Sequence, residues 1–122
     1  MTGASQKSRR RKADRKGRIA ELKAALHLRL KGYRILARRF KTPVGEVDLI
    51  ARKGDVIVFV EVKARNEVAT ALDAITLTAQ RRIEAAGDLY LSRRSDFSDL
   101  SWRYDVVVVL PLRWPIHMEA VW

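Results

Sequence analysis

The fold of this chain is decided by two stretches, Gly45-Glu46-Val47-Asp48-Leu49-Ile50 and Phe59-Val60-Glu61-Val62-Lys63. Both have the alternating, β-branched composition that is typical of strands. Between them lies Arg52-Lys53-Gly54-Asp55, which has the composition of a hairpin turn. Two carboxylates and a lysine interrupt these otherwise apolar runs. Burying an ionised group is costly unless the group is paired or binds a metal, so the hairpin is predicted to carry a polar site.

The spacing of the charged residues places them near one another. Residues two apart in a strand point to the same face of the sheet, so Glu61 and Lys63 are expected on one face. Asp48 lies four residues before Arg52 and Glu61 six residues after Asp55, an offset of two that a twisted or bulged hairpin can absorb. Both carboxylates could then hold one Mg²⁺ or Mn²⁺ ion, with Lys63 binding a water or a phosphate oxygen. The residues alone leave a second interpretation open, a lysine–carboxylate salt bridge on a solvent-facing sheet.

Helices and further strands surround the predicted hairpin. Strands are predicted over residues 33–40, 46–52, 56–64 and 102–110, with a short final one over 116–122. The strand over 33–40 is rich in arginine, which is typical of a sheet edge. A helical region over 71–93, broken near 76–78, precedes the fourth strand. With the first helix, the order α-β-β-β-α-β predicts an α/β fold with a central mixed sheet flanked by helices.

The first helix is predicted from about Lys16 to Lys31, where Gly32 ends it. It is partly apolar on two sides. One side is a stripe at spacings of three and four residues, formed by Ile19, Leu22, Leu26 and Leu30. The opposite side carries Glu21, flanked by Ala24, Ala25 and Leu28.

Charge separates the N-terminus from the rest of the chain. The net charge is +11; residues 1–18 hold eight Lys or Arg and one Asp, hence +7, and the other 104 residues contribute +4. A disordered basic tail is predicted over 1–15 and a single domain over 16–122. The basic run Arg9, Arg10, Arg11 and Lys12 attracts polyanions, nucleic acid first, although a merely solvated extension has the same composition.

Composition excludes several classes of protein. No cysteine is present, so disulfides, thiolate zinc sites and a cysteine nucleophile are excluded. No apolar run approaches the roughly 18 residues of a membrane span, and no hydrophobic stretch follows the basic N-terminus as in a signal peptide. We therefore expect a cytoplasmic protein without a membrane partner.

Five motifs resemble the YraN-like family of small bacterial proteins, a family of predicted endonucleases that is similar to Holliday junction resolvases. The motifs are Gly17–Glu21, Gly32–Arg38, Gly45–Ile50, Phe59–Lys63 and Arg103–Val107. The resemblance covers roughly residues 16–122. It implies a restriction-endonuclease-like core with a metal-dependent phosphodiesterase site.

The resemblance also implies roles for individual residues. Asp48 and Glu61 match the metal-binding acids, Lys63 the active-site lysine and Glu21 the first-helix acid that completes the site. Gln80 resembles a polar residue that related nucleases aim at the site. Glu46 belongs to the motif as well and is equally consistent with a supporting acid.

Two positions depart from the family pattern. Ala20 stands where glycine is expected before the helix acid, which is harmless in a helix. Ala79 stands where a basic residue is usual, which leaves nucleic-acid affinity more dependent on Arg81, Arg82 and the tail.

The leading hypothesis is a Mg²⁺- or Mn²⁺-dependent nuclease acting on DNA, branched or structured DNA included. A homodimer would suit a substrate with two strands to cut. One alternative is a nuclease-like fold that binds nucleic acid as an accessory protein without turnover. Another is a basic RNA- or ribosome-associated protein whose acids form ordinary salt bridges.

Overall fold

The computed structural model describes the backbone of residues 2–122 and the side chains of residues 6–122. Two helices and three strands come first: α1 (Thr2–Leu30), β1 (Arg34–Thr42), β2 (Gly45–Lys53), β3 (Val56–Ala64) and α2 (Val68–Asp73). They are followed by α3 (Leu77–Ser92), a 3₁₀ turn (Phe97–Asp99), β4 (Ser101–Val109) and β5 (Ile116–Met118). The predicted order of elements is confirmed, and the break in the second helical region falls between α2 and α3.

One mixed sheet has the strand order β1-β2-β3-β4-β5. All neighbours are antiparallel except β3 and β4, which run parallel and are connected through α2 and α3. β1 is an edge strand, as its arginines predict. Val107 and Val109 of β4 pack on the α1 side, whereas Val106 and Val108 pack on the α2 side. The valine run of β4 is therefore buried on both faces.

The two faces of the sheet are covered by different helices. α1 buries Ala24 and Leu28 against Val58 and Val60 of β3. α3 covers the opposite face, where Phe59 and its neighbours form a second cluster with the helix. Because successive strand residues point to opposite faces, β3 contributes to both clusters.

Only one of the two apolar sides of α1 is buried. The alanine-rich side packs on the sheet, while the stripe of larger residues is 46–66% exposed: Ile19, Leu22, Leu26 and Leu30. Small side chains let the helix approach the sheet closely, and this places Glu21 at the edge of the helix–sheet contact.

α1 begins at Thr2, well before the predicted start near Lys16. Lys, Arg and Ala dominate residues 7–16 and are good helix formers, which accounts for the longer helix. All side chains from Gln6 to Lys16 are exposed, and a helix without tertiary contacts is marginal in water. The division into a disordered tail over 1–15, whose first residue lies outside the described part, and a domain over 16–122 stays a prediction.

A buried carboxylate fixes the C-terminal segment. Asp105 of β4 accepts hydrogen bonds from Arg103 Nε at 2.9 Å and from Ala120 N at 2.9 Å, and its Oδ2 lies 2.7 Å from His117 Nε2. The last strand stops at Met118, short of the predicted 116–122, because Ala120 adopts a φ of +50° and its backbone turns toward Asp105.

Candidate active site

Asp48 and Glu61 lie opposite each other at the point where β2 and β3 separate. The ladder runs from Lys53 paired with Val56 to Leu49 paired with Val60 and then stops. Asp48 is five residues before Lys53 and Glu61 five residues after Val56, so the two carboxylates share one register position. The predicted offset of two is wrong, because the turn consists of two residues, with Gly54 at a φ of +60°, and not of four.

Where β2 and β3 separate, the side chain of Asp48 takes the place of a backbone hydrogen-bond acceptor. Its Oδ2 accepts a hydrogen bond of 2.8 Å from the backbone N–H of Val62. This bond holds the carboxylate beside β3 and satisfies a half-buried donor. A carboxylate has about four acceptor sites, so Asp48 keeps further acceptor capacity for Glu61 or for a ligand in the cleft.

Glu61 is the acid with the strongest electrostatic perturbation. Its side chain is 13% exposed. Burial raises its pKa to about 9; a hydrogen bond to Asp48 and the negative charge of that residue add to the rise, and Lys63 partly offsets it. A cation bound beside the two carboxylates would favour the ionised form of Glu61.

Lys63 supplies a positive charge beside this acid pair. Its Nζ lies 3.6 Å from Glu61 Oε2, and its side chain is 22% exposed. Glu61 and Lys63 are therefore in contact, two residues apart on β3.

These residues line one open cleft of about 410 Å³ between α1 and the separated ends of β2 and β3. Glu21 lines it from the helix, and Glu46, Asp48, Glu61 and Lys63 line it from the strands. The structure therefore brings together five of the residues that the sequence singles out. In the part of the chain that is described, no three acidic or histidine side chains approach closely enough to hold one metal ion together. Any ligand set would accordingly consist of two carboxylates with water or backbone oxygens.

Glu21 already has a partner. Arg39 Nε on β1 donates to Glu21 Oε1 at 2.8 Å, and the Glu21 side chain is 16% exposed. Arg39 has a φ of +53°, which is unusual for a residue with a side chain. No local sequence pattern indicates this pair, because it joins residues 18 positions apart in different elements.

The cleft wall also carries two basic residues that were not predicted from the sequence. Lys16 from α1 and Arg65 from the end of β3 line the cleft beside the acids. Lys16 could have been found, since Lys16, Gly17, Ala20 and Glu21 recur at the spacing of one helical face.

Other predicted residues lie elsewhere. Gln80 does not line the cleft. It lies on α3, which covers the opposite face of the sheet from α1, and its Nε2 donates to the carbonyl of Ile75 before the helix at 3.5 Å. Arg81 and Arg82 are exposed on the same helix. The basic run is exposed on the part of α1 that precedes Ala13, the first residue of the cleft: Arg9, Arg10, Arg11 and Lys12.

The fold and the cleft define a mixed α/β protein with a carboxylate–lysine site at the open end of a hairpin. Within the described residues, each helix lacks the combination of length and apolarity needed to cross a membrane. Residues 20–109 match the model of the uncharacterised protein family UPF0102. The chain belongs to this family, which confirms the resemblance drawn from the motifs.

Several relatives match over most of their length. A UPF0102 protein of Chelativorans sp. (strain BNC1) is 58% identical over 98% of this chain and 97% of its own. UPF0102 proteins of Rhizobium meliloti (strain 1021) and Mesorhizobium japonicum are each 58% identical, over 91% and 90% of this chain and 91% and 88% of their own.

Proposed function

We propose that this chain is a Mg²⁺- or Mn²⁺-dependent nuclease that hydrolyses phosphodiester bonds in DNA, branched or structured DNA included. The observation that carries the proposal is the placement of Asp48 and Glu61 at one register position, with Lys63 Nζ 3.6 Å from Glu61, in an open cleft. Burying two acids side by side has a cost that packing alone does not require. The resemblance to predicted endonucleases supports the same interpretation.

The residues fit a hard divalent cation. Asp48 accepts one hydrogen bond from Val62 N–H and keeps further lone pairs, and burial beside Asp48 disfavours the negative charge of Glu61, which a cation would stabilise. Mg²⁺ and Mn²⁺ prefer such oxygen ligands and retain several waters, so two carboxylates suffice. When bound, the ion would supply an activated water and neutralise charge on the phosphate.

The remaining residues act on the substrate and on the water. Lys63 Nζ can donate to a water or to a phosphate oxygen, which orients the nucleophile toward phosphorus. Lys16 and Arg65 place positive charge on the same cleft wall and attract the phosphate backbone. Glu21, held by Arg39, limits the space on the helix side and supports the site as an acid.

A second function is favoured by a separate observation. Within the described residues no third acid joins Asp48 and Glu61 as a metal ligand, and Glu21 is engaged by Arg39. A protein that binds nucleic acid as an accessory without turnover would tolerate this arrangement. It would show salt-sensitive binding and no metal-dependent products.

The test is incubation of the purified protein with Mg²⁺ or Mn²⁺ on linear, flapped and four-way DNA. Asp48→Ala, Glu61→Ala and Lys63→Ala are each expected to abolish or strongly reduce cleavage. Lys23→Ala, an exposed lysine on α1, serves as the control for loss of one positive charge. Cleavage that persists in both acid variants would refute the assigned roles, and binding without products on every substrate would favour the accessory protein.

A further inference from the structure

Three arginines surround a second pocket on the outer side of the cleft. The pocket has a volume of about 470 Å³ and is lined by Arg18, Glu21, Leu22, Arg38 and Arg39. It shares Glu21 with the cleft that holds Asp48 and Glu61. With three guanidinium groups against one carboxylate, its lining carries a net charge of +2.

The backbone of β1 brings two consecutive arginines to this pocket. In a regular strand Arg38 and Arg39 would point to opposite faces of the sheet. The left-handed φ of +53° at Arg39 breaks the alternation, so both residues line the same pocket. A residue with a Cβ is strained in this conformation, and such strain recurs at ligand-binding positions.

The register of the sheet places this pocket beside the acid pair. Arg38 pairs with Leu49 and Phe40 with Val47, so Arg39 occupies the position opposite Asp48. Asp48 in turn lies opposite Glu61 across the next pair of strands. Arg38 and Arg39 are therefore one strand away from the candidate active site, on the edge strand β1.

The three arginines differ in what they already bind. Arg39 is held by Glu21 at 2.8 Å. Arg18 and Arg38 are exposed, and among the residues that the structure describes neither has an ion-pair partner. Guanidinium groups match the geometry of phosphate oxygens, and two of them on one pocket can hold one phosphodiester.

We propose that Arg18 and Arg38 bind a backbone phosphate of a nucleic-acid strand, next to the phosphate that occupies the carboxylate cleft. Arg39 is a positioning residue that joins β1 to α1 through Glu21 and keeps the two other arginines on one pocket. The identity of the ligand as nucleic acid rests on the proposed function, whereas turnover is not required for the subsite.

The test measures binding without cleavage. Fluorescence anisotropy of labelled single-stranded and duplex DNA is recorded in EDTA over a series of salt concentrations. Each phosphate contact contributes about 0.9 to the slope of log K against log salt on duplex and about 0.7 on single strands. Because the two arginines hold one phosphate between them, the double variant is expected to lower the slope by about that amount, and each single variant by part of it. At about 0.1 M salt one duplex contact corresponds to roughly an eightfold loss of affinity.

Arg93→Ala is the matched control, because it removes one exposed arginine at the C-terminal end of α3, away from the pocket. The proposal is refuted if Arg18→Ala and Arg38→Ala leave the same slope as Arg93→Ala. A second arm titrates inorganic phosphate into the protein without DNA; phosphate binding that Arg18→Ala and Arg38→Ala both weaken, together with DNA slopes equal to that of Arg93→Ala, would assign the pocket to the free anion and refute the assignment to a strand. A wild-type protein that binds with these arginine-dependent slopes but never cleaves would contradict the nuclease proposal alone.

Discussion

Replacing Asp48 tests whether its carboxylate serves the fold, the metal or both. Asp48 Oδ2 accepts a bond of 2.8 Å from Val62 N–H. Asn keeps an oxygen acceptor for this donor and loses the charge, whereas Ala loses both. Leaving a half-buried N–H unpaired costs about 1–3 kcal/mol, so Asp48→Ala should be less stable than Asp48→Asn by that amount.

The size of the effect can be converted to temperature. At about 2.1 cal/mol/K per residue, the 122 residues give an unfolding entropy near 260 cal/mol/K, so 1 kcal/mol shifts Tm by about 4 °C. The two variants should then differ by roughly 4–12 °C. A divalent ion at about 100 times its Kd stabilises the folded state by about 2.7 kcal/mol, which raises the wild-type Tm by roughly 10 °C.

Circular dichroism melts with and without Mn²⁺ measure both quantities. We expect the Mn²⁺ shift in the wild type and in Glu67→Gln, an exposed acid outside the cleft, and its loss in both Asp48 variants. A full Mn²⁺ shift in Asp48→Asn would refute the role of the charge. Equal stability of the Asn and Ala variants would refute the role of the hydrogen bond.

Three further predictions concern stability and are measured by urea unfolding at equilibrium. Gly45→Ala should destabilise the protein by about 3 kcal/mol or more, since its Cβ would lie 1.9 Å from the backbone oxygen of Arg82; an unchanged midpoint would contradict the close approach of β2 and α3. Leu28→Ala should cost about 2–5 kcal/mol and Leu26→Ala, on the exposed stripe, less than about 1 kcal/mol; equal losses would show that the stripe is covered in solution. Burial alone would raise the pKa of Asp105, but hydrogen bonds from its partners outweigh it and lower the pKa below the ordinary 3.8. The stability from this group is therefore complete above about pH 3.8 and lost as the pH falls through the lower folded value, so Asp105→Asn should remove part of the acid dependence between about pH 5 and pH 2; parallel curves for both proteins would contradict it.

The strands and the acid pair could be predicted because both follow from alternation. The β-branched residues between two turn signals predict a strand over Val56–Ala64, and the structure has β3 with those bounds. The acids and Lys63 stand out because their type conflicts with an apolar run. The exact pairing could not be read, since it depends on which two residues of Arg52–Asp55 form the turn.

Features that depend on packing between distant elements could not be predicted. Both sides of α1 are apolar, and the buried side is the one with smaller residues, because only it lets the helix approach the valines of the sheet. The Arg39–Glu21 pair needs the left-handed backbone at Arg39, which no local pattern indicates. The role of Gln80 rests on resemblance alone, and its side chain turns back to the carbonyl of Ile75, just before its own helix.

The equal distance of Asp48 and Glu61 from the hairpin turn determines where the hairpin can tolerate insertions and deletions. Residues added at Gly54 and Asp55 lengthen the loop and leave both acids at the same level of the sheet. A single codon inserted or deleted inside either strand shifts one acid by one position and turns it toward the opposite helix. Length variation in the hairpin should thus be confined to its tip.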